Sequence, residues 1–552
     1  MTRFRTFDFR LRSVLPGQNP GLSMRPGLVA NTTYEIDYAG DWAVVETPTG
    51  FRMTTVGFPD LPGFKIAGSG DCLEVESDRA GIGTAFWTDR PLAGNQGVVA
   101  STRLSEVDVS NREIDGSAIE EISLLGHVLG NRTAVEGILR TTASAGLGWS
   151  AGRGVSTVPS TTVNLMDVPP NHDLADLIHG IGSLGDTGEA IELTGGLDSR
   201  LLLAIRILAG RKPRMAITFG SPDQPDVYLA SALSEAVGIP HRVIPFDGNH
   251  PDMARRSIFN ACQSGGITDL KVYASFIDAF DSLASIREEQ ITGAGGELAV
   301  DFYSVPGLES LASRGWWTPL VKRRIIQVPS LPMRASGATT GKVVARVAEA
   351  VCSILDSYDD EDNLMRLRRF YLEERLGNWA GPVLNASRYE YTPIIPMLHP
   401  SYAAWSNSLG RSDRRGRRAQ ETLLHQLVEK HGADKAIVDI PFAGPSRGMR
   451  KMAHWAGKVL RKIKGIDSRS SRPTSLVLDA WKADDEVSRV LAGLSGAQIF
   501  GQHLSPDELM VMSGANSSIA GPILGALAAT ASDRLSPRSG FPGFPNGSEW
   551  DR

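Results

Sequence analysis

The chain contains 552 residues, of which 57 are Lys or Arg and 62 are Asp or Glu, so its formal net charge is −5 at pH 7. Apolar residues make up 41% and charged residues 22% of the sequence, which excludes a wholly disordered, collagen-like or coiled-coil chain. The mildly acidic balance also excludes a protein that coats nucleic acid through general basicity.

Residues 1–167 are predicted to form an α+β domain. Runs rich in β-branched and aromatic residues at 42–46 and 51–56 are separated by Gly, Pro and Asp clusters, which is typical of strands and hairpins. Apolar residues at helical spacing predict a helix over 118–125, and further strands are predicted between residues 146 and 158.

Strands alternate with helices over the next region, residues 168–464. Strands are predicted at 190–193, 215–219 and 242–246, and helices at 199–208 and 226–237, closed by Gly210 and Gly238. Because parallel neighbours cannot be joined by tight turns, this alternation predicts an α/β domain with a parallel, doubly wound sheet.

Beyond about residue 307 the chain is predicted to be mostly helical. Helices are expected over 341–358 and 417–430, and a capping signal at 504–508 predicts a helical extension over 465–531. The tail over 532–552 is rich in Ser, Gly and Pro and is expected to be disordered.

The chain shows few features of a secreted or membrane protein. Its three scattered cysteines, Cys72, Cys262 and Cys352, are too few for a disulfide framework or a Cys-based zinc site. No run approaches the roughly 18 consecutive apolar residues that span a bilayer. We therefore predict a cytoplasmic protein without a membrane span.

One segment carries the clearest chemical signal, the Thr-Gly-Gly-Leu-Asp-Ser stretch between the first strand and the first helix of the α/β region. Gly195 and Gly196 let the backbone approach an anion, and Ser199 and the first helical amides direct N–H groups at it. The stretch lacks the lysine of the Gly-Lys-Ser/Thr nucleotide loop and the glycine spacing of the dinucleotide fingerprint. We interpret it as a phosphate-binding loop.

Asp198, inside this loop, predicts a divalent cation, because a carboxylate beside a phosphate needs a positive charge between the two. Mg²⁺ suits this position. The alternative is a plain glycine-rich turn in which Asp198 caps the following helix. The complete six-residue pattern at the first strand of a parallel sheet favours the functional interpretation.

The same stretch resembles the pyrophosphate loop, Ser-Gly-Gly-x-Asp-Ser, of the ATP-pyrophosphatase (PP-loop) superfamily, and its surroundings are most similar to the asparagine synthetase branch. Residues 218–226 resemble the second strand and helix, which close around adenosine in that branch. Residues 291–297 resemble its Gly-x-Gly-Gly-Asp-Glu loop, and residues 126–138 the end of its amino-terminal domain. The resemblance implies a PP-loop ATP-pyrophosphatase domain preceded by a glutaminase-type (Ntn-hydrolase-like) domain.

The resemblance also implies which residues form the site. The nucleotide would be held by Thr194, Gly195, Gly196, Leu197, Ser199, Thr218, Phe219, Gly293, Gly295 and Gly296. Asp198 and Glu297 would be the catalytic acids and the metal ligands, with ATP and Mg²⁺ as the implied nucleotide and metal.

The implied reaction joins a carboxylate to an amine. A substrate carboxylate attacks the α-phosphate of ATP, giving an acyl-adenylate and pyrophosphate, and an amine then displaces AMP. Thr2 stands where glutamine-dependent members have a nucleophilic cysteine, and we interpret it as part of an ordinary terminus, with the first strand expected near residue 34. The amine would therefore come from the substrate or from free ammonia, as in the β-lactam synthetases, lasso-peptide cyclases and glycan-associated amidotransferases that this chain resembles.

The partners expected from this resemblance are a small-molecule, peptide or glycan carboxylate, without nucleic acid, and a homodimer is compatible with it. Two alternatives stay open. A tRNA-modifying PP-loop enzyme is slightly favoured by the basic segment 447–472 but disfavoured by the net negative charge. A catalytically impaired ATP-binding or scaffold homologue is suggested by a missing lysine.

The departures from the family pattern are local. Glu297 and Leu298 stand where the family has Asp-Glu, and the stretch 439–446 lacks the family's lysine. Arg447, Lys435 and Lys271 are candidate replacements for its charge. The basic run 411–418 is interpreted as a solvated loop or, alternatively, as an anion-binding one, and His399 as structural.

Overall fold

The computed structural model describes most of the chain. The described residues are 8–13, 28–30, 34–39, 42–47, 50–55, 64–69, 72–88, 99–102, 104, 107, 112–150, 153–161, 163–185, 190–220, 224–244, 289–303, 311, 316–326, 337–360, 362–387, 392–440, 481–485, 488–489, 497–499, 502–505 and 527. The predictions for Thr2, Lys271, Arg447, the basic segment 447–472 and the tail 532–552 lie outside these residues.

The described strands form four sheets. Their bounds are β1 Asp8–Ser13, β2 Leu28–Ala30, β3 Tyr34–Ala39, β4 Trp42–Thr47, β5 Gly50–Thr55, β6 Phe64–Ser69, β7 Cys72–Ser77, β8 Phe86–Thr88, β9 Val99–Ser101, β10 Ile138–Arg140, β11 Ala145–Ser150, β12 Gly154–Pro159, β13 Ala190–Glu192, β14 Met215–Phe219, β15 His241–Ile244, β16 Glu289–Ile291, β17 Thr392–Ile394, β18 Ala497–Ile499 and β19 Gln502–Leu504.

The helices lie mainly after residue 170. Their bounds are α1 Gly116–Leu125, α2 Leu174–Gly182, α3 Leu197–Leu208, α4 Pro225–Ala236, α5 Trp317–Leu320, α6 Gly337–Ser357, α7 Asn363–Phe370, α8 Gly381–Ser387, α9 Pro400–Ser408, α10 Arg418–Glu429 and α11 Ala436–Asp439. Two π-helical segments, Val321–Ile325 and Tyr371–Ala380, continue α5 and join α7 to α8.

Two six-stranded antiparallel sheets occupy the amino-terminal region, with strand orders β10-β8-β9-β1-β3-β2 and β12-β11-β7-β6-β5-β4. Together with α1, they agree with the predicted mixture of helix and strand. The expectation that strands begin near residue 34 is wrong, because β1 lies between β9 and β3. Phe9 and Leu11 alternate with Arg10 and Arg12 there, a period-two pattern typical of a strand despite its charges.

A five-stranded parallel sheet forms the centre of the second region, as predicted, with the order β15-β14-β13-β16-β17. The chain builds outward from β13 to β15 and then resumes on the other side of β13 with β16. This reversal between β13 and β16 is a topological switch point, where ligands bind at the carboxyl ends of strands in open α/β sheets.

The elements nearest the switch point follow from local sequence. Helix α3 buries Leu201, Leu202 and Ile205 and ends just before Gly210, whose φ of 72° few other residues adopt readily. It begins two residues earlier than predicted, and it packs against α2 and α10. These contacts bring α10, more than 200 residues away in sequence, to the edge of the phosphate-binding loop.

One apolar cluster runs through both regions. It includes Ile82 and Ile119 from the amino-terminal region and Leu203, Phe370 and Leu424 from the second. Burying such side chains is the main stabilising term in folding. The two regions therefore share a core in the described part of the molecule.

The carboxy-terminal extension agrees with the helical prediction only in part: described residues 481–483 and 488–489 are helical, whereas 497–499 and 502–504 are strands. Strands β18 and β19 pair antiparallel, joined by two residues that include Gly501, and β18 lies against α1. A two-residue connection with glycine is typical of a hairpin. Among the described residues, no helix is both long enough and apolar enough to cross a membrane.

Candidate functional site

The first wall of the site is the loop between β13 and α3. The Thr194 backbone N–H donates to Ser199 Oγ at 3.1 Å, and the Gly196 N–H donates to Thr194 Oγ1 at 3.0 Å. Side chains of the loop itself thus fix the conformation of its backbone. The backbone N–H groups in the first turn of a helix have no hydrogen-bond partner within that helix. Gly196, the N-cap of α3, has no side chain to cap them, so these N–H groups face the loop uncapped.

The second wall is the loop that follows β16. Gly293 lies opposite the first turn of α3, since a Cβ built on it would meet Ser199 N at 3.5 Å and Asp198 Cβ at 3.6 Å. A Cβ on Gly296 would overlap the Asp198 carboxylate. Gly295 has a φ of 88°, a left-handed conformation that suits glycine. The structure therefore brings together the two loops that were predicted to form one site.

Asp198 lies between these loops and is bound by two side chains of the α10 region. Gln420 donates through Nε2 to Asp198 Oδ1 at 2.6 Å, and Arg417 donates through Nη1 to Oδ2 at 3.2 Å. The alternative in which Asp198 caps α3 is wrong, because Gly196 holds the N-cap position and the Asp198 carboxylate accepts from α10 instead.

The electrostatics of Asp198 reflect its surroundings. Burial raises the pKa of Asp198 to about 6, the Arg417 guanidinium opposes that rise, the Glu297 carboxylate adds to it, and the Gln420 hydrogen bond opposes it. Gly296, whose backbone lies against the Asp198 carboxylate, directly precedes Glu297, so the two predicted acids lie in neighbouring walls of the same site. Two carboxylates that share a poorly hydrated site favour a cation between them.

Gln420 holds the Asp198 carboxylate in place from within the core. It is fully buried, and its Nε2 also donates to the Gly296 carbonyl oxygen at 2.9 Å. Tyr402 donates to the same carbonyl at 3.1 Å. Gln420 Oε1 is buried and has no hydrogen-bond partner among the described residues. Such an orphaned oxygen, on a side chain that binds Asp198 through its other atom, fits a site that a ligand completes.

Glu297 has its own contact. Tyr371, in the π-helical segment after α7, donates its hydroxyl to Glu297 Oε2 at 3.3 Å. Burial raises the pKa of the Tyr371 hydroxyl well above its ordinary value, so this group stays a donor. Glu297 is itself partly exposed.

The donor set fits Mg²⁺. This ion takes one or two carboxylates and completes its octahedron with water and phosphate oxygens, so Asp198 and Glu297 would suffice. The described residues contain no group of three or more His, Cys, Asp or Glu side chains that could hold a metal by themselves. A metal at this position would therefore depend on phosphate oxygens for the rest of its ligands.

Two predicted binding residues lie at the end of the neighbouring strand β14. Thr218 is buried and donates its hydroxyl to the Leu193 carbonyl oxygen at 2.6 Å, with His241 Nε2 at 2.8 Å from the same hydroxyl. The Thr218 side chain therefore makes its hydrogen bonds to neighbouring groups of the sheet. Phe219 is partly exposed at the carboxyl end of the strand. His399 caps α9 by accepting from Ser401 N at 3.2 Å, which confirms its structural role.

The side chains of the basic run 411–418 have different surroundings, so the run does not act as one solvated loop. Arg411 pairs with Asp362 at the surface at 3.2 Å, and Arg414 is buried, donating to the Ser406 carbonyl oxygen at 2.8 Å. Arg417 reaches Asp198 instead. Sequence reasoning missed Arg417, Gln420, Tyr402 and Tyr371. The only advance signal was the position of Arg417 in a basic run just before a predicted helix.

Comparison with known proteins adds nothing to this geometry. No protein-family model and no curated protein sequence matches the chain.

Proposed function

We propose that the chain is an ATP-dependent ligase that activates a carboxylate as an acyl-adenylate and transfers the acyl group to an amine. The observation that carries the proposal is the meeting of the Thr194–Ser199 loop with the Gly293–Glu297 loop at the switch point of the parallel sheet. Both loops bring glycine backbone close to an acid at the start of a helix, the arrangement that suits a polyphosphate with a divalent cation.

Each wall of the site has a task in this reaction. The first-turn amides of α3 and the Gly195–Gly196 backbone would bind the pyrophosphate portion of ATP. Asp198 and Glu297 would hold Mg²⁺, which supplies positive charge to the phosphates when bound. Hydrogen bonds from Gln420 and Tyr402 fix the positions of the Asp198 carboxylate and the Gly296 carbonyl.

The chemistry balances as two displacements. An oxygen of the substrate carboxylate bonds to the α-phosphorus while the bond to the β-phosphate oxygen breaks, and pyrophosphate leaves. The amine nitrogen then bonds to the acyl carbon, AMP leaves and the amine loses a proton. Because AMP is a far better leaving group than hydroxide, activation makes amide formation feasible. The amine would come from the substrate or from free ammonia.

The proposal is tested by pyrophosphate release from ATP across candidate carboxylates, with hydroxylamine to trap the activated acid as a hydroxamate. Asp198→Asn is expected to abolish both signals and weaken Mg·ATP binding in isothermal titration. Asp176→Asn, on the exposed side of α2, provides a charge-matched control. Absence of Mg·ATP binding in the unmodified protein, or equal binding in Asp198→Asn, would contradict the proposal.

A further inference from the structure

We infer that Arg417 is the phosphate-binding cation of this site, an inference that rests on the function proposed above. Its guanidinium lies 3.2 Å from Asp198 Oδ2 and is 43% exposed, whereas the Asp198 side chain is 18% exposed. The charge therefore stands at the more exposed edge of the site.

The backbone at this position is unusual. Arg417 has a φ of 75° and is the one non-glycine residue with a positive φ among the described residues. It directly follows Gly416, whose φ is 64°. A left-handed conformation is unfavourable for a residue with a Cβ, and such positions persist where the surrounding structure requires a particular side chain.

Helix capping does not explain this arginine. Arg417 is the N-cap of α10, a position that favours Ser, Thr, Asp, Asn or Gly, and its side chain makes no capping hydrogen bond. A glycine would satisfy both the φ angle and the cap. What an arginine adds is the guanidinium that reaches Asp198.

The loops themselves supply no positive side chain. Residues 194–199 and 293–297 contain neither Lys nor Arg. Arg200, the basic residue next in sequence, is fully buried and donates to the carbonyl oxygens of Ile437 and Ile440. A nucleoside triphosphate brings more negative charge than one divalent ion offsets. The Arg417 guanidinium lies where it can offset the rest of that negative charge.

Arginine also has suitable chemistry for this task. Its planar fork donates to two oxygens of a phosphate at once, and it keeps its charge at any physiological pH. Asp198 holds the guanidinium in the described structure. That contact uses one nitrogen, Nη1, so the other N–H donors of the fork can meet phosphate oxygens whether or not a metal is bound.

The test measures binding of ATP by isothermal titration, once with Mg²⁺ and once in EDTA, to Arg417→Gln, Arg417→Lys and the control Arg418→Gln. Arg418 is the next residue, is exposed and loses the same charge. Arg417→Gln is expected to weaken Mg·ATP binding on the order of 10- to 100-fold and to weaken binding in EDTA as well, because the guanidinium contacts phosphate directly. Arg417→Lys is expected to recover most of the affinity, and Arg418→Gln to bind as the unmodified protein does.

Several outcomes would overturn the inference. Unchanged or tighter Mg·ATP binding by Arg417→Gln would make the arginine a structural partner of Asp198 or a competitor of the metal. A loss seen with Mg²⁺ but not in EDTA would mean that it acts only through Asp198. If Asp198→Asn abolishes binding while Arg417→Gln retains it, only this inference fails. If the unmodified protein binds no ATP, the proposed function fails and the inference with it. Circular dichroism and thermal unfolding of each variant establish that it is folded.

Discussion

Two buried acids of this molecule invite comparison, Asp198 at the switch point and Glu374 between the two regions. Burial raises the pKa of both, to about 6 for Asp198 and about 7 for Glu374. Glu374 accepts from the Gly130 backbone N–H at 2.7 Å and from Asn378 Nδ2 at 3.1 Å. Its partners are fixed groups of the interface between the amino-terminal region and the helical segment.

The partners of Asp198 are different in kind. One is the long, partly exposed Arg417 side chain, and the other is Gln420, whose Oε1 is buried without a hydrogen-bond partner among the described residues. A raised pKa alone therefore does not distinguish the acid that we propose to be functional from a structural one. The difference lies in whether the acid's partners are permanent and whether a ligand can reach it.

The largest expected effect concerns Glu374. Glu374→Ala should lower the free energy of unfolding by about 3 kcal/mol, because Gly130 N–H and the Asn378 amide lose their acceptor inside the interface. Urea denaturation measures the loss, with the exposed Glu429→Ala as a control expected to change little. Mg·ATP binding should stay unchanged. A variant that keeps its stability and loses nucleotide binding would break the comparison.

The second prediction concerns pH. The pKa of Asp198 is raised from 3.8 to about 6, so between these values the folded chain holds a proton that the unfolded chain has released. The protonated Asp198 side chain therefore contributes to the free energy of unfolding in full below about pH 4, and this contribution is lost as the pH rises through about 6. The expected loss is about 2 kcal/mol, after allowance for the 18% exposure of the side chain.

Asp198→Asn should remove this fall in stability with rising pH. The fall due to Glu374, whose pKa is raised from 4.5 to about 7, should remain and should continue up to pH 7. Urea denaturation at unit steps from pH 4 to pH 7 would separate the two windows. A profile for Asp198→Asn that matches the unmodified protein would show that Asp198 is not buried as described.

The third prediction concerns close approach at the open site. Gly296→Ala should cost about 1.5 kcal/mol of stability, because its Cβ would overlap the Asp198 carboxylate and meet Met397 Sδ at 3.0 Å. Gly293→Ala is the matched control, since its Cβ would meet nothing nearer than 3.5 Å. Thermal and urea unfolding should rank the two variants in this order. Equal costs would mean that Asp198 does not lie against Gly296.

The smallest expected effect concerns the backbone of Arg417. Arg417→Gly should be more stable than Arg417→Ala by about 1 kcal/mol, because both variants lose the guanidinium but only glycine adopts a φ of 75° without strain. The difference in urea midpoints measures it. A more stable alanine variant would show that Arg417 is not held in the left-handed conformation.

Much of the parallel sheet was predictable because its signals are local. The predicted strand at 215–219 coincides with β14, and the helix predicted at 226–237 is shifted by one residue from α4. Alternating apolar runs, glycine stops and capping residues lie within a few positions of one another, so they can be read without knowing the fold. The meeting of Asp198 with the loop of Glu297 was also expected, from the resemblance.

Other features depend on residues far apart in sequence. Strand β1 lies in the middle of its sheet because β3 and β9 pair on either side, and its alternation of Arg with Phe and Leu was too short to indicate that by itself. The acceptor of Gly130 N–H, Glu374, is 244 residues away. No local pattern specifies such a pairing.

The sequence by itself determined the elements of the α/β region and the glycine-rich loop that carries Asp198, since dihedral preferences and apolar periodicity act between near neighbours. Only the tertiary structure decided which cation accompanies that acid. Arg417 is 219 residues from Asp198 and meets it because α10 packs against α3, and the burial of hydrophobic side chains rather than any local motif sets that packing.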